Sequence, residues 1–585
     1  MKTILLHRKK CFHNFTNQKY IIFMMSYLRK HPFLALIIVP AFILYMVIIL
    51  RSGSYYCFHK ECGIFFWGVH GHDAIWHLAI ANTSFNSFPF IAPTYSGRLL
   101  TGYNFLFDWF VFFLSKVGIP ALVTYFKIFP LVWFIVFTSL LISLARKIKN
   151  SPSFIAFVLF FAYFSNSFSY ILNLYHNGTL WGSSGILATL SVHTMSNPPF
   201  AMSLLILLLI LIIVKKNHLD TKTVVWLGIL NFINIGLKFY GGVLGIFLTS
   251  IFIFSKSLKK PKELIVYSAI LSLSVLFSVF LFYDPFSSMK SGSIFAFSPF
   301  ALIHTITEEP SLFYMRQITD ARYYLLTKGI GPRLISIELF NLTIFLFFYL
   351  GVSFFGLLYG IVGTVTGAID KFNRYILAVI ILSIVLTATL VQKAEWWNVI
   401  QFFYYAIFLS SLLTAQLAQK IFEKKSWVRI ILISLMVILS VPNSVDVMKH
   451  YGSFPGSAYL PKDEIEALAF LKKQPAGVVV APLYDLSIKQ FPGPNPLYAY
   501  EDTSYVSAFS GHPTYLANIL QLRLTGIDYK SRLEKLKRQD CSMLDEVDYI
   551  YETVKHPSMV KLLSCKNRKI RRLFKNSSAA IYEVN

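Results

Sequence analysis

The stretch GVHGHDAIWH (68–77) gathers residue types that move protons. Asp73 and His77 are four apart and share one face if the segment is helical. His70 and His72 stand just before them, and Gly71 breaks the chain ahead of the helix. Three roles are open. Asp73 caps an interfacial helix, or it is a carboxylate general base with His72 and His77 as partners, or the cluster holds a metal. The HxHD…H spacing is not a zinc fingerprint. Downstream, Arg98 and Asp108 sit in a second polar stretch, where an arginine can meet a phosphate or pair with a lipid headgroup.

Two later segments carry similar chemistry. Arg316, Arg322, Lys328 and Arg333 are set against Glu308, Glu309 and Asp320. Guanidinium groups suit bidentate phosphate recognition; the alternative is an interfacial helix dressed with surface ion pairs. In QKAEWWNVIQFFYY (392–405), Trp396, Trp397, Tyr404 and Tyr405 fit an aromatic belt. Lys393, Glu395, Asn398 and Gln401 at that depth point instead to a cavity lining. Asn234 and Lys238 interrupt an apolar run and are candidates of the same kind, with snorkelling as the alternative for Lys238.

These residues have to be positioned by membrane helices. The chain of 585 residues is 55% hydrophobic, 17% aromatic and only 14% charged, against about 25% charged in globular domains. That excludes an ordinary soluble enzyme. Long apolar runs, sufficient to cross ~30 Å of hydrocarbon, predict roughly eleven transmembrane helices: 32–50, 121–144, 152–170, 200–214, 222–239, 241–256, 264–282, 339–364, 374–391, 398–419 and 427–444. Basic clusters near residues 2–30, 146–149, 215–222, 256–262, 371–374 and 420–429 all fall on one side of this arrangement, which the positive-inside rule makes cytoplasmic. Counting 103–117 as a further span would turn the cluster at Arg146 outward. That segment, which also holds Asp108 and Lys116, is therefore expected to be an amphipathic interfacial helix.

The reading is a polytopic α-helical membrane protein of the plasma (inner) membrane, with interfacial helices in the first outer loop. It has a cytoplasmic basic N-terminus at 1–31, a transmembrane domain at 32–445 whose first apolar run is kept as a signal anchor and whose outer loop 1 is at 51–120, and a small extracytoplasmic α/β domain at 446–585. In the tail a helix from Pro461, helical stretches at 515–524 and 531–538, and strands near 477–481, 548–551 and 579–583 are expected. Long polar segments at 51–116, 173–199, 283–338 and 392–401 all lie outside, so the chemistry belongs to the outer face. Cys57 with Cys62 and Cys541 with Cys565 are either disulfides or free thiols, and Cys11 is left over inside. The net charge of +26 serves topology and anionic headgroups rather than nucleic acid. No P-loop and no Rossmann glycine motif is present.

With its early Asp in a large outer loop, further spans and an outer tail, the chain resembles the GT-C superfamily of membrane glycosyltransferases, and among them the bacterial protein-mannosyltransferase-like members and related multispan proteins. The residues carrying the resemblance are GHDAIWH (71–77), SGRLLTGYNFLFDW (96–109), WWNVIQFFYY (396–405) and DYIYET (548–553). It implies sugar transfer from a polyprenyl-phosphate-linked donor to a glycan, lipid or protein acceptor, with Asp73 as the loop carboxylate that orients or deprotonates the acceptor. His72 and His77 would assist. Arg98, Arg316, Arg322 and Lys393 would hold the donor phosphate. Asp108, Tyr103, Glu395, Trp396, Asn398 and Gln401 would line the cavity. The Asp-Glu pair of the mannosyltransferase-like members is here Asp73-Ala74, and the DxD of the metal-dependent oligosaccharyl branch is missing, so a divalent metal is possible but nothing in the sequence requires it. The alternatives are a non-enzymatic lipid or polysaccharide transporter and an envelope assembly protein on the same scaffold.

Overall fold

In hydrocarbon every backbone N–H and C=O must be satisfied within the chain, so apolar runs of this length fold as helices. A computed structural model describes residues 29–182, 189–285, 294–424, 426–453, 455–491, 493–566 and 568–585; Cys11 and most of the basic segment 1–31 lie outside the described residues. Among the described residues nine helices are long and apolar enough to cross a membrane, from Pro32–Ile49 to Val428–Gly452. The pair Pro152–Phe164 and Ser169–Asn177, bent by 48°, brings the number to ten if it is one span. The chain is thus a multi-pass membrane protein.

Departures from the expected spans have local causes. The expected span 222–239 is the 17-residue helix Thr221–Leu237, shorter than the nine. The expected span 339–364 divides into Pro332–Leu350 and Ser353–Val365. Gly351 sits between them at φ +53°, and a Cβ there would lie 2.1 Å from the Asn166 carbonyl oxygen. The chain turns where another backbone passes too close for any side chain. Segment 103–117 contains the helix Leu106–Lys116 of 11 residues, which at 1.5 Å per residue reaches only about 16 Å. One side of it exposes Trp109, Phe110 and Phe113, while Phe107, Asp108 and Val111 are buried.

Helix Trp396–Phe422 is the central post, with 89% of its apolar window buried. Pro261–Tyr283 is peripheral at 17% and turns Ile265, Leu273 and Phe277 outward, as a lipid-facing helix does. A helical hairpin positions chemistry directly. Helices Thr221–Leu237 and Phe239–Ser257 are joined by the single extended residue Lys238. So abrupt a turn needs small residues on the following helix. At Gly242 a Cβ would meet the Ile235 backbone at 2.9 Å, and at Gly241 it would meet the Tyr405 hydroxyl at 2.4 Å. Asn234 completes the turn by donating to the Gly241 carbonyl at 2.8 Å.

The tail is sewn to the first loop. Strands Ser54–Phe58, Glu61–Phe66, Ala458–Pro461 and Asn495–Pro496 form one sheet, two from each region. The antiparallel register runs from Gly63 opposite Pro461 to Phe66 opposite Ala458. Cys57 and Cys62 are disulfide-bonded across the first hairpin, and Cys541 is bonded to Cys565 in the tail. A second sheet, in the order Val479–Val480, Tyr549–Thr553, Ala579–Val584, Ile570–Lys575, belongs wholly to the tail. Helix Tyr505–Ser510 lies against helix Asp73–Thr83, held by bonds from Asn82 to the Ala508 carbonyl (2.7 Å) and from Thr83 to the Ser507 carbonyl (3.1 Å).

Beneath that contact, fully buried Glu464 accepts a bond from the Tyr551 hydroxyl at 2.8 Å. Burial pushes its carboxyl up to about 7. A folded-state pKa above the unfolded one means the folded chain binds the extra proton, so this stability is fully present below about 4.5 and lost as pH rises through about 7. Glu464→Gln removes the titration. Its melting temperature is expected to exceed the native one at pH 8, by an amount corresponding to at most about 3 kcal/mol, and to converge with it at pH 5. Equal melting curves at pH 8 would remove Glu464 as the source.

Candidate functional site

The helix Asp73–Thr83 begins directly after the short helical turn Gly68–Gly71, so Asp73, Trp76 and His77 emerge on one side of its first two turns. Together with Lys238, Tyr103 and the turn at 392–401 they enclose a cavity of about 250 Å³. Its floor is the hairpin turn, with Lys238 beside Asn197. One wall is the small sheet pairing Phe295–Phe297 with Leu390–Gln392. Another wall comes from the tail, where Leu520, Gln521 and Leu524 of helix Ile519–Leu524 reach it.

Asp73 faces this space with 41% of its side chain accessible, and its Oδ1 accepts a bond from His72 Nδ1 at 3.0 Å. Burial works to raise its pKa. The His72 bond and the positive charges of His77 and Lys238 prevail, and the carboxyl is held below its ordinary range. For His72 burial disfavours the imidazolium, but Asp73, Glu501 and Asp502 outweigh it and raise its pKa. The pair is therefore a charged one, poised at the cavity wall. His77 Nδ1 donates to Asp108 Oδ1 at 2.8 Å, both being buried. Burial pushes the Asp108 carboxyl up against the pull of His77. The Asp108 carboxylate holds Nδ1–H and so fixes the orientation of the His77 ring, with Nε2 as its second ring nitrogen.

The remaining cavity groups form a polar ring. Lys238, 7% exposed, donates to Asn197 Oδ1 at 3.4 Å. Tyr240 and Asn398 both donate to Gln392 Oε1, at 3.2 and 2.7 Å, and Gln401 donates to Asn398. Glu395 is tied to the tail by Arg523 at 3.2 Å and accepts from the Trp397 indole at 3.2 Å.

Of the residues singled out from sequence, Asp73, His72, His77, Tyr103, Lys238, Glu395, Asn398 and Gln401 line this cavity, and Asp108 stands behind His77. Trp396 does not line it and is 47% exposed; its neighbour Trp397 takes the place. His70 is a core residue. It donates from Nε2 to the Met195 carbonyl at 3.1 Å and accepts from Ser52 at 2.8 Å, and burial pushes its pKa down to about 4.

None of the four expected phosphate ligands lines the cavity. Arg98 and Lys393 are exposed, and Arg316 is 82% accessible beside Asp320. Arg322 is consumed inside the fold, with Nε bonded to Glu338 at 2.7 Å and NH1 to Glu308 at 2.9 Å. The lysine that does line the cavity is Lys238. Its signal was the sequence LKFYGG (237–242): a lysine inside an apolar run followed by a glycine pair that permits the hairpin. The tail wall at 519–525 had no local signal. Removing one partner of a buried ion pair costs about 3–5 kcal/mol. Arg322→Met is therefore expected to lower the melting temperature of the purified protein by several degrees while leaving the turnover of folded molecules unchanged. Lost turnover with an unchanged melting temperature would return Arg322 to the site.

The donor set does not fit a divalent cation. Among the described residues no group of three or more His, Cys, Asp or Glu side chains is arranged to hold a metal ion. The carboxylates nearest the cavity, Asp73, Asp108 and Glu395, are committed to His72, His77 and Arg523.

No family model and no curated protein matches the chain. Solved structures do. The apo form of the Archaeoglobus fulgidus oligosaccharyltransferase aligns over 91% of this chain and 70% of its own, with a TM-score of 0.50 at 12% identity. The oligosaccharyltransferase AglB from the same organism, in complex with an inhibitory peptide and a dolichol-phosphate, aligns over 90% and 70%, with a TM-score of 0.49 at 12% identity. At that identity the likeness to the apo structure is one of fold alone.

Proposed function

We propose that the chain is an inverting glycosyltransferase that moves a hexosyl or pentosyl unit from a polyprenyl-phosphate-linked donor to a glycan, lipid or protein acceptor. In this reading the plasma (inner) membrane is crossed eleven times, with the N-terminus cytoplasmic and the region from 446 on outside. The observation that carries it is the meeting of Asp73, the His77–Asp108 pair and Lys238 in one cavity. A carboxylate base, an oriented imidazole and a buried ammonium are what a transfer from a phosphate leaving group requires.

The acceptor hydroxyl lies against Asp73, whose low pKa keeps it ionised across the neutral range. As the acceptor oxygen bonds to the anomeric carbon, its proton passes to Asp73. The bond from that carbon to the phosphate oxygen breaks on the opposite face, so configuration inverts. The electron pair leaves on the phosphate, whose growing charge meets the Lys238 ammonium. His77, with Nδ1 held by Asp108, offers Nε2 to a neighbouring hydroxyl and orients the acceptor. The polar chain of Gln392, Asn398 and Gln401 supplies donors for the sugar, and Trp397 and Tyr240 supply ring faces for its apolar side.

The test is transfer in proteoliposomes carrying the purified protein and a panel of polyprenyl-phosphate-linked sugars, with the anomeric configuration of the product read by NMR. Transfer with inversion supports the assignment. Retention, or no transfer with any donor while the lipid crosses the membrane, would replace it with the transporter reading.

A further inference from the structure

A second cavity, of about 380 Å³, lies wholly in the tail, within the size range of ordinary ligand sites, about 300–1,000 Å³. It opens where the parallel strands Val479–Val480 and Tyr549–Thr553 end. The loops after them, 481–485 and 555–558, form its rim. The crevice beyond the carboxyl ends of parallel strands is where open α/β sheets hold their ligands.

The lining has a particular chemistry. Tyr484 and Tyr498 present phenol rings at its edge, and Leu483 and Leu516 add apolar surface. Three carboxylates border it. Two have structural duties: Asp485 caps the turn at Ser487 (2.9 Å), and Asp502 accepts the backbone N–H groups of Asn518 and Ile519 at 2.9 and 2.6 Å. Glu501 has no such bond among the described residues. Thr503 also borders the cavity, is 7% exposed, and its hydroxyl has no hydrogen-bond partner among the described residues. A buried hydroxyl left unsatisfied costs about 1–3 kcal/mol, so a native structure normally pairs it with something.

We propose that this tail cavity binds a neutral or amino-substituted saccharide unit. Rings that cover the C–H face of a pyranose and a free carboxylate that accepts from two neighbouring hydroxyls are complementary to such a ligand. Among the described lining residues Asp485, Glu501 and Asp502 outnumber the basic Lys555 and His556, which disfavours an anionic one.

Its position gives it a place in the reaction. Asp502 borders the tail cavity, and its carboxylate holds the start of helix Ile519–Leu524, whose Leu520, Gln521 and Leu524 wall the first cavity. Glu501 and Asp502 also act electrostatically on His72. A saccharide seated in the tail thus touches residues that also support the first cavity. If the chain is a glycosyltransferase, as proposed above, the saccharide is part of the acceptor, held at a distance from the transferred sugar; binding itself does not depend on that reading.

The experiment is saturation-transfer NMR on the full chain in nanodiscs with four probes: cellobiose, chitobiose, glucuronic acid and N-acetyl-lysine amide. Saturation is expected on at least one disaccharide, little on glucuronic acid, and a contact map weighted to the C–H face. Glu501→Gln, nearly isosteric, and Tyr498→Ala are each expected to weaken binding at least tenfold with an unchanged melting temperature. Asp73→Asn is expected to bind as the native chain does. No disaccharide signal, a signal undiminished in both tail variants, a signal abolished by Asp73→Asn, or a preference for the lysine or uronate probe would each overturn the proposal. Because the readout is binding, it stands or falls separately from the transfer assay.

Discussion

Asp73→Asn is expected to lower transfer from a polyprenyl-phosphate-linked donor by about 10²–10⁴-fold, the usual contribution of a positioned general base. The amide keeps the shape of the side chain and its place at the start of the helix Asp73–Thr83, so the loss should fall on kcat, with donor binding and melting temperature retained. The native profile supplies a second check. Because Asp73 is held below the ordinary carboxylate range by His72, His77 and Lys238 against the effect of burial, the acid limb of the pH–rate curve should lie below that of a free carboxyl. His72 is shifted the other way, so weakening the pair by His72→Gln should move the acid limb upward. If Asp73→Asn transfers sugar at the native rate, the base lies elsewhere, and His77 with its Asp108 support is the remaining candidate.

Lys238→Met is expected to cost about 10²–10³-fold in kcat/KM, comparable to removing one preorganised group at a developing charge. Methionine preserves the length of the stem while deleting the ammonium. The variant should also bind free polyprenyl phosphate more weakly, since the same group meets the phosphate before and after transfer. The two losses separate the roles: Asp73→Asn spares phosphate binding, and Lys238→Met does not. A Lys238→Met chain that binds polyprenyl phosphate like the native one and transfers at the native rate would remove Lys238 from the phosphate site.

The comparison between residue pattern and structure follows one physical line. Hydropathy is local, and the membrane demands that each apolar run satisfy its own backbone; hence the segments at 32–50, 121–144, 264–282 and 398–419 are all recognisable in helices of the structure. The charge rule works through topology, again segment by segment. It kept 103–117 from being counted as a span, and that segment holds only the 11-residue helix Leu106–Lys116. Asp73 and His77 were legible as one face of a helix because four residues make one turn.

Cation identity was not legible. Arg322 and Lys238 are both basic residues flanked by apolar ones, yet Arg322 is satisfied by Glu308 and Glu338 while Lys238 is turned into the cavity by a hairpin that two glycines allow. Nor did any local pattern announce that Glu61–Phe66 pairs with Ala458–Pro461, or that Gln521 closes a site opened by Asp73. The sequence by itself determined that this chain is membrane-embedded, with its polar chemistry gathered in a few loops. Only the tertiary structure decided which of those polar groups are spent on one another and which remain to face a ligand, because that depends on contacts between residues hundreds of positions apart, and such contacts leave no periodic trace in either partner.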